Sequence, residues 1–260
     1  MTPELTDIHD KILHNLRTAA EAALYYDDVW SNSQTEQKYE GYALGRIQFI
    51  EKALTRFARR RDLEILDLGC GSGWLSDHLS AWGSVTATDF APKALEVAKS
   101  NFGQRVHFVL ADTESPTLNI PPDRRFDVVV CSEVIEHVTY PEAIVAQISG
   151  FLKPQGWCIL TTPNGKLWRK YAKDTRYQHF HQPIENWLTP KACAELLQDF
   201  NFSIQMHEGW SAPYFQYTLL SKVLIRRSIE IPVRWLGLYD LYARLTLPFS
   251  MFQLILARKS

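Results

Sequence analysis

The chain has 260 residues, 46% hydrophobic and 22% charged, with a formal net charge of −1 and a pI near 6.7. This is ordinary globular composition, long enough for one substantial core, and it provides no global positive field to draw nucleic acid or an anionic membrane. No run reaches the roughly 18 to 20 apolar residues needed to span a bilayer.

The first 26 residues carry acids early and no long apolar core, so they read as neither a signal nor a transit peptide. Residues 1–60 read as helical, with apolar positions at helical spacing in ALGRIQFIEKALTRFA. The pattern then changes to short, β-branched, nearly continuous apolar runs at 63–68, 84–90, 106–112, 126–133 and 156–164. Such runs suit strands buried on both faces of a parallel sheet. Helical segments lie between them, which predicts right-handed βαβ units. TPKACAELLQDF predicts a further helix, with Thr189 as N-cap and Pro190 in its first position. Runs at 202–210 and 252–260 predict two last strands, separated by an aromatic and basic insertion far longer than a hairpin needs. The expected fold is α/β: a doubly wound, mostly parallel seven-stranded sheet in a single domain over 1–260. Within it, 1–60 form a helical N-terminal part, 61–210 the core, 211–248 the insertion and 249–260 the last strand. Cys70, Cys131, Cys158 and Cys193 form no CxxC pair and read as reduced, buried thiols of a cytoplasmic protein.

The chemistry begins at DLGCGSG, residues 67–73. Gly69, Gly71 and Gly73 follow a strand that carries Asp67 near its end, where an open α/β sheet binds its ligand. The spacing is G-x-G-x-G, not the dinucleotide G-x-G-x-x-G, and no G-K-[ST] follows. A carboxylate at Asp67 would repel a pyrophosphate and welcome a cation. A ligand with a ribose, an adenine and an ammonium group therefore fits better than NAD.

Over about residues 40 to 210 the chain resembles the class I S-adenosylmethionine-dependent methyltransferases. The acid and G-x-G-x-G of that family are matched by Asp67, Gly69, Gly71 and Gly73. Its ribose-gripping acid is matched by Asp89 in ATDFAP, and its acid near the adenine amine by Asp112 in VLADTES. CSEVIEHV after the fourth strand is a form common in the family. The resemblance implies S-adenosylmethionine as cofactor, held by these residues together with Cys70, Phe90, Thr113, Ser132 and Glu133. It also implies a mobile N-terminal lid in AALYYDDVWSNS, with Tyr25, Tyr26 and Trp30 on its aromatic side.

In SEVIEHV, Glu133, Glu136 and His137 fall at i, i+3 and i+4 and would share one face of a helix starting there. Three roles stay open for this catalytic candidate set: His137 as general base, a divalent cation site, or a structural cluster. The form resembles that of ubiquinone-biosynthesis O-methyltransferases, whose acceptor is a phenolic hydroxyl on a polyprenylated ring. It also resembles small-RNA 2′-O-methyltransferases, where such residues hold Mg²⁺ with one more histidine, for which His179 and His181 are candidates. The neutral net charge argues against the RNA reading. Residues 161–190 mix aromatic side chains (Trp168, Tyr171, Tyr177, Phe180, Trp187) with Lys166, Arg169, Lys170, Lys173 and Arg176, a candidate acceptor wall, a single-stranded nucleic-acid surface or a solvated loop. The insertion, with Arg226, Arg227, Arg234 and Arg244 among leucines and aromatics, reads as a cap over an apolar substrate, a membrane-surface element or a docked helix pair. The expected function is O-methylation of an apolar or aromatic small molecule. The alternatives are RNA 2′-O-methylation or a non-catalytic donor-binding subunit.

Overall fold

The apolar runs assemble into one seven-stranded sheet in a computed structural model that describes residues 25, 42–58, 60–112, 119–171, 183–210 and 239–260. In chain order these are α1 (Tyr42–Phe57), β1 (Leu63–Leu68), α2 (Trp74–Leu79), β2 (Gly83–Asp89), α3 (Pro92–Phe102), β3 (Val106–Leu110) and β4 (Phe126–Ser132). Then come α4 (Pro141–Phe151), β5 (Leu152–Pro163), α5 (Gly165–Tyr171), α6 (Pro190–Asp199), β6 (Phe202–Trp210), α7 (Tyr239–Thr246) and β7 (Phe252–Lys259). The strand order is β3-β2-β1-β4-β5-β7-β6, with β7 antiparallel to both its neighbours and the other pairs parallel. The order reverses between β1 and β4, which opens a crevice beyond their carboxyl ends.

Side chains alternate between two cores, as a sheet covered on both faces requires. Ile65, Val85, Val130 and Ile159 pack with Ile50 and Leu54 of α1 and Leu95 of α3. Leu66, Val129, Cys131 and Leu160 pack on the other face with Ile144 and Ile148 of α4 and Leu197 of α6. All four cysteines are buried free thiols, and burial alone pushes Cys158 up to about 12.

Two strand limits differ from expectation by more than one residue. β3 stops at Leu110, which leaves Asp112 beyond the strand and exposed. β5 starts at Leu152 instead of 156: Leu152 pairs with Phe126, and the register then shifts before Val128 pairs Trp157. Gln155 takes φ 61 within that irregularity. Pro154 and its polar neighbours therefore read as a turn although they lie inside a bulged strand. Of the expected N-terminal lid only Tyr25 is described; Tyr26 and Trp30 lie outside the described residues, as does the insertion up to residue 238. α7 and a 3₁₀ turn (Leu247–Phe249) form the end of that insertion.

α1 is tied to the far edge of the sheet by a charge. Glu208 on β6 is fully buried, and Lys52 of α1 donates to it at 2.6 Å. Beside it Trp210 stacks on Phe49 of α1 and on Phe252 of β7, with centroids 5.4 and 5.3 Å apart. α6 starts as the sequence predicts: Pro190 opens it, and Thr189 Oγ1 accepts from the Ala192 N–H at 3.2 Å. Thr189→Ala should cost about 1 kcal/mol in urea unfolding, with Thr189→Asp recovering most of it.

Candidate active site

The turn after β1 can be made only by residues that tolerate left-handed backbone. Gly69, Gly71 and Gly73 have φ of 73°, 53° and 81°. Space is equally restrictive. A Cβ on Gly69 would collide with Val134 Cγ2, and one on Gly73 would lie 2.8 Å from Phe108 Cζ and 2.9 Å from Ala98 Cβ. The end of β2 holds the turn in place. Gly69 and Cys70 donate their N–H groups to Thr88 O at 2.8 and 2.9 Å, and Gly71 N–H donates to Asp89 Oδ2 at 2.8 Å. The other Asp89 oxygen accepts from Ala91 N–H at 2.9 Å. Burial raises the Asp89 carboxyl, while these backbone donors oppose the rise. Asp67 sits beneath the turn, 1% exposed, and accepts from Ser76 Oγ at 2.6 Å. Burial lifts its carboxyl to about 6. In this structure Asp67 ties the end of β1 to α2 through Ser76.

The second wall is the exit from β4. The expected shared face of Glu133, Glu136 and His137 does not form, because helical geometry starts only at Ile135, in a 3₁₀ turn ending at His137. Glu133 precedes it with φ 59°. Thr161 Oγ1 donates to Glu133 Oε1 and Thr162 Oγ1 to Glu136 Oε2, each at 2.9 Å. Consecutive strand residues point to opposite faces, so the two carboxylates are drawn apart. The Thr161 hydroxyl has one proton and gives it to Glu133, so Ser132 Oγ, 2.8 Å away, donates to Thr161. Glu136 is 1% exposed, and burial lifts its carboxyl to about 7.

His137 is held by its ring. Nδ1 lies 3.0 Å from Ile184 O and Nε2 3.6 Å from Glu136 Oε1. A carbonyl only accepts, so Nδ1 carries the proton and a neutral ring keeps its lone pair on Nε2. Burial lowers the pKa of His137, against the opposing pull of the Ile184 bond and of Glu133 and Glu185.

Sequence reasoning missed Arg46. From α1 its charge opposes the rise that burial imposes on both Asp67 and Glu136, so α1 brings a cation near these two acids. The available signal was a lone arginine inside an apolar helical stripe. Of the expected acceptor wall, Trp168 turns inward: Nε1 donates to Met251 O at 3.0 Å and its ring meets Phe252 edge-on. Thr113, His179, His181 and the rest of the wall from Lys173 to Phe180 lie outside the described residues. Among the described residues no group of three or more His, Cys, Asp or Glu side chains is placed to hold a metal ion. No helix among them is long and apolar enough to cross a membrane.

A glycine turn clasped by a strand-end carboxylate, at the strand-order reversal of a doubly wound sheet, defines a nucleoside-binding α/β protein. The methyltransferase domain family matches residues 42–207, and the chain belongs to it. A ubiquinone biosynthesis O-methyltransferase from Rickettsia felis is 31% identical over 178 residues, covering 63% of this chain and 70% of that protein. The mitochondrial protein of the same name from Schizosaccharomyces pombe is 35% identical over 123 residues, which span 45% of this chain and 43% of the relative. In fold, the N-methyltransferase NodS of Bradyrhizobium japonicum, in complex with S-adenosyl-L-homocysteine, superposes with a TM-score of 0.62 at 11% identity, over 92% of this chain and 98% of that one. Magnesium protoporphyrin IX methyltransferase from Synechocystis, also with S-adenosyl-L-homocysteine, gives 0.60 at 15% identity over 94% and 98%. The chain is an S-adenosylmethionine-dependent methyltransferase.

Two outcomes follow from this geometry. Gly69→Ala should abolish S-adenosylmethionine binding in calorimetry, because the added methyl collides with Val134 and the backbone stays left-handed. Glu136 has a pKa raised from 4.5 to about 7 on folding, so its burial costs nothing below 4.5 and the cost is complete above about 7. Glu136→Gln should therefore melt higher than the parent at about pH 8, by the equivalent of roughly 3 kcal/mol at most, with the gain shrinking toward about pH 5.

Proposed function

We propose that the chain methylates a hydroxyl oxygen of an apolar, ring-bearing small molecule, with His137 as the base. The observation that supports this reading best is the ring assignment: Nδ1 is committed to Ile184 O, and burial favours the neutral ring. His137 then offers Nε2 to a proton near neutrality, where a hydroxyl acceptor needs it removed. The names of the similar O-methyltransferases from Rickettsia felis and Schizosaccharomyces pombe point the same way. No observation favours the RNA or the non-catalytic alternative.

The turn of Gly69, Gly71 and Gly73 presents bare backbone to an adenosyl group, and Asp89 is the carboxylate for its ribose hydroxyls. The carboxylate end of the donor takes Arg46 as its cation. Bound S-adenosylmethionine supplies a methyl group that is already activated. The protein therefore needs to orient the acceptor, exclude water and take up one proton, and orientation alone is worth about 7 to 11 kcal/mol in favourable cases. Ser132, Thr161 and Glu133 form a hydrogen-bonded row that fixes the floor between the two walls. Peripheral contact with a lipid surface belongs to the same reading. Leu241 and Leu245, one turn apart on α7, are 56% and 66% exposed, beside the exposed Arg244.

The test is calorimetry with S-adenosylhomocysteine, followed by labelled methyl transfer to a panel of phenols, catechols, sugars and short RNA. His137→Gln should keep donor affinity and lose about 10²- to 10⁴-fold in turnover on a phenolic acceptor. Unchanged turnover in that variant would remove His137 from the reaction, and transfer to RNA alone would overturn the acceptor class.

A further inference from the structure

Residues 183–189 have neither helix nor strand of their own, yet their polar groups are bonded outward on two sides. On one side the strap is clipped to α5 and β7. Trp187 O accepts from Arg169 Nη1 at 2.6 Å, and Leu188 O accepts from Gly165 N–H at 3.0 Å and from Gln253 Nε2 at 3.1 Å. A Cβ on Gly165 would collide with Trp187 O, so α5 and the strap touch backbone to backbone. On the other side three bonds converge on His137 and its two neighbours. Ile184 O takes the Nδ1 proton at 3.0 Å, Asn186 N–H donates to Glu136 O at 2.6 Å, and Asn186 Nδ2 donates to Val138 O at 2.6 Å. Asn186 thus holds the carbonyl before His137 and the carbonyl after it, while Ile184 holds the ring.

The 3₁₀ turn that carries His137 is too short to fix its own orientation. It spans three residues, Val134 and Val138 flank it in non-helical conformations, and its N-cap makes no side-chain hydrogen bond. Orientation must come from outside, and among the described residues the strap supplies three bonds. We propose that Asn186 and Ile184 are positioning residues for His137: the strap sets which ring nitrogen carries the proton and holds the turn so that Nε2 stays the acceptor. This deepens the reading of His137 as base and rests on it for its catalytic meaning. The strap leads directly into α6.

The test reads the ring directly. In ¹⁵N-histidine-labelled protein, long-range ¹H–¹⁵N correlation spectra separate the two neutral tautomers, and the His137 signals are those missing from His137→Gln. Wild type should show the Nδ1–H form, the less common one in water. Asn186→Ala should mix in the Nε2–H form, and Asn186→Gln, which keeps an amide donor, should return toward wild type. Affinity for S-adenosylhomocysteine should stay within about twofold in both variants, with turnover of a phenolic acceptor falling roughly tenfold in Asn186→Ala, about the worth of one hydrogen bond. An Nε2–H form in wild type, or identical wild-type and Asn186→Ala spectra, would overturn the proposal. The wild-type spectrum decides the ring assignment even if the alanine variant does not fold. If the spectra come out as expected while His137→Gln retains full turnover, the positioning stands and the base reading falls.

Discussion

Three backbone N–H groups of the turn after β1 find their acceptors on the last two residues of β2. Gly69 and Cys70 reach the carbonyl of Thr88, and Gly71 reaches the carboxylate of Asp89. Everything else at the site depends on that join. It forces the left-handed run that only glycine can follow cheaply, presses Gly69 against Val134 and so brings the β1 and β4 exits together. It also supplies Asp89, 7% exposed, with two backbone donors that partly offset the rise in its pKa that burial imposes.

The opposite wall is built by the same economy of polar groups. Ser132, Thr161, Thr162, Asp67 and Glu136 are all buried, and each is bonded to another polar group of the set or to Ser76 or Glu133. Burial raises the pKa of both acids and lowers that of His137, so each is pushed toward its neutral form. Arg46 is the counterweight, a cation delivered by a helix that precedes the sheet in the chain.

The sheet was legible because strands buried on both faces must be apolar nearly throughout, a pattern helices on the surface do not share. The glycine turn was legible for a similar reason: Gly69, Gly71 and Gly73 all need positive φ, and Gly69 and Gly73 also have no room for a side chain. The Thr189 cap carried a local signal and formed as read. What the sequence hid was orientation. Glu133, Glu136 and His137 have helical spacing, yet φ 59° at Glu133 delays the helical turn by two residues and sends the carboxylates to different threonines. Nothing local announces that, because the partners lie 26 and 28 positions away. Ile184 and Asn186 were hidden because a carbonyl or an amide in a short irregular segment has no period to betray it, while Arg46 showed only as a lone arginine in a helical stripe. β5 was cut short because Pro154 and Gln155 have turn chemistry, and a bulge uses the same residues a turn does.

The place of β7 has a consequence for the order in which the molecule can be made. It is the latest strand in the chain and is inserted between β5 and β6, hydrogen-bonded to both. During synthesis the five parallel strands can pair among themselves as they appear, but β6 has no neighbour in the sheet until β7 follows it. The ion pair of Lys52 with Glu208 must wait for the same event, since Glu208 stands on β6, although α1 already has the parallel strands to pack against. On the ribosome the nascent domain would therefore expose the free edge of β5 until β7 fills it in one late, long-range pairing.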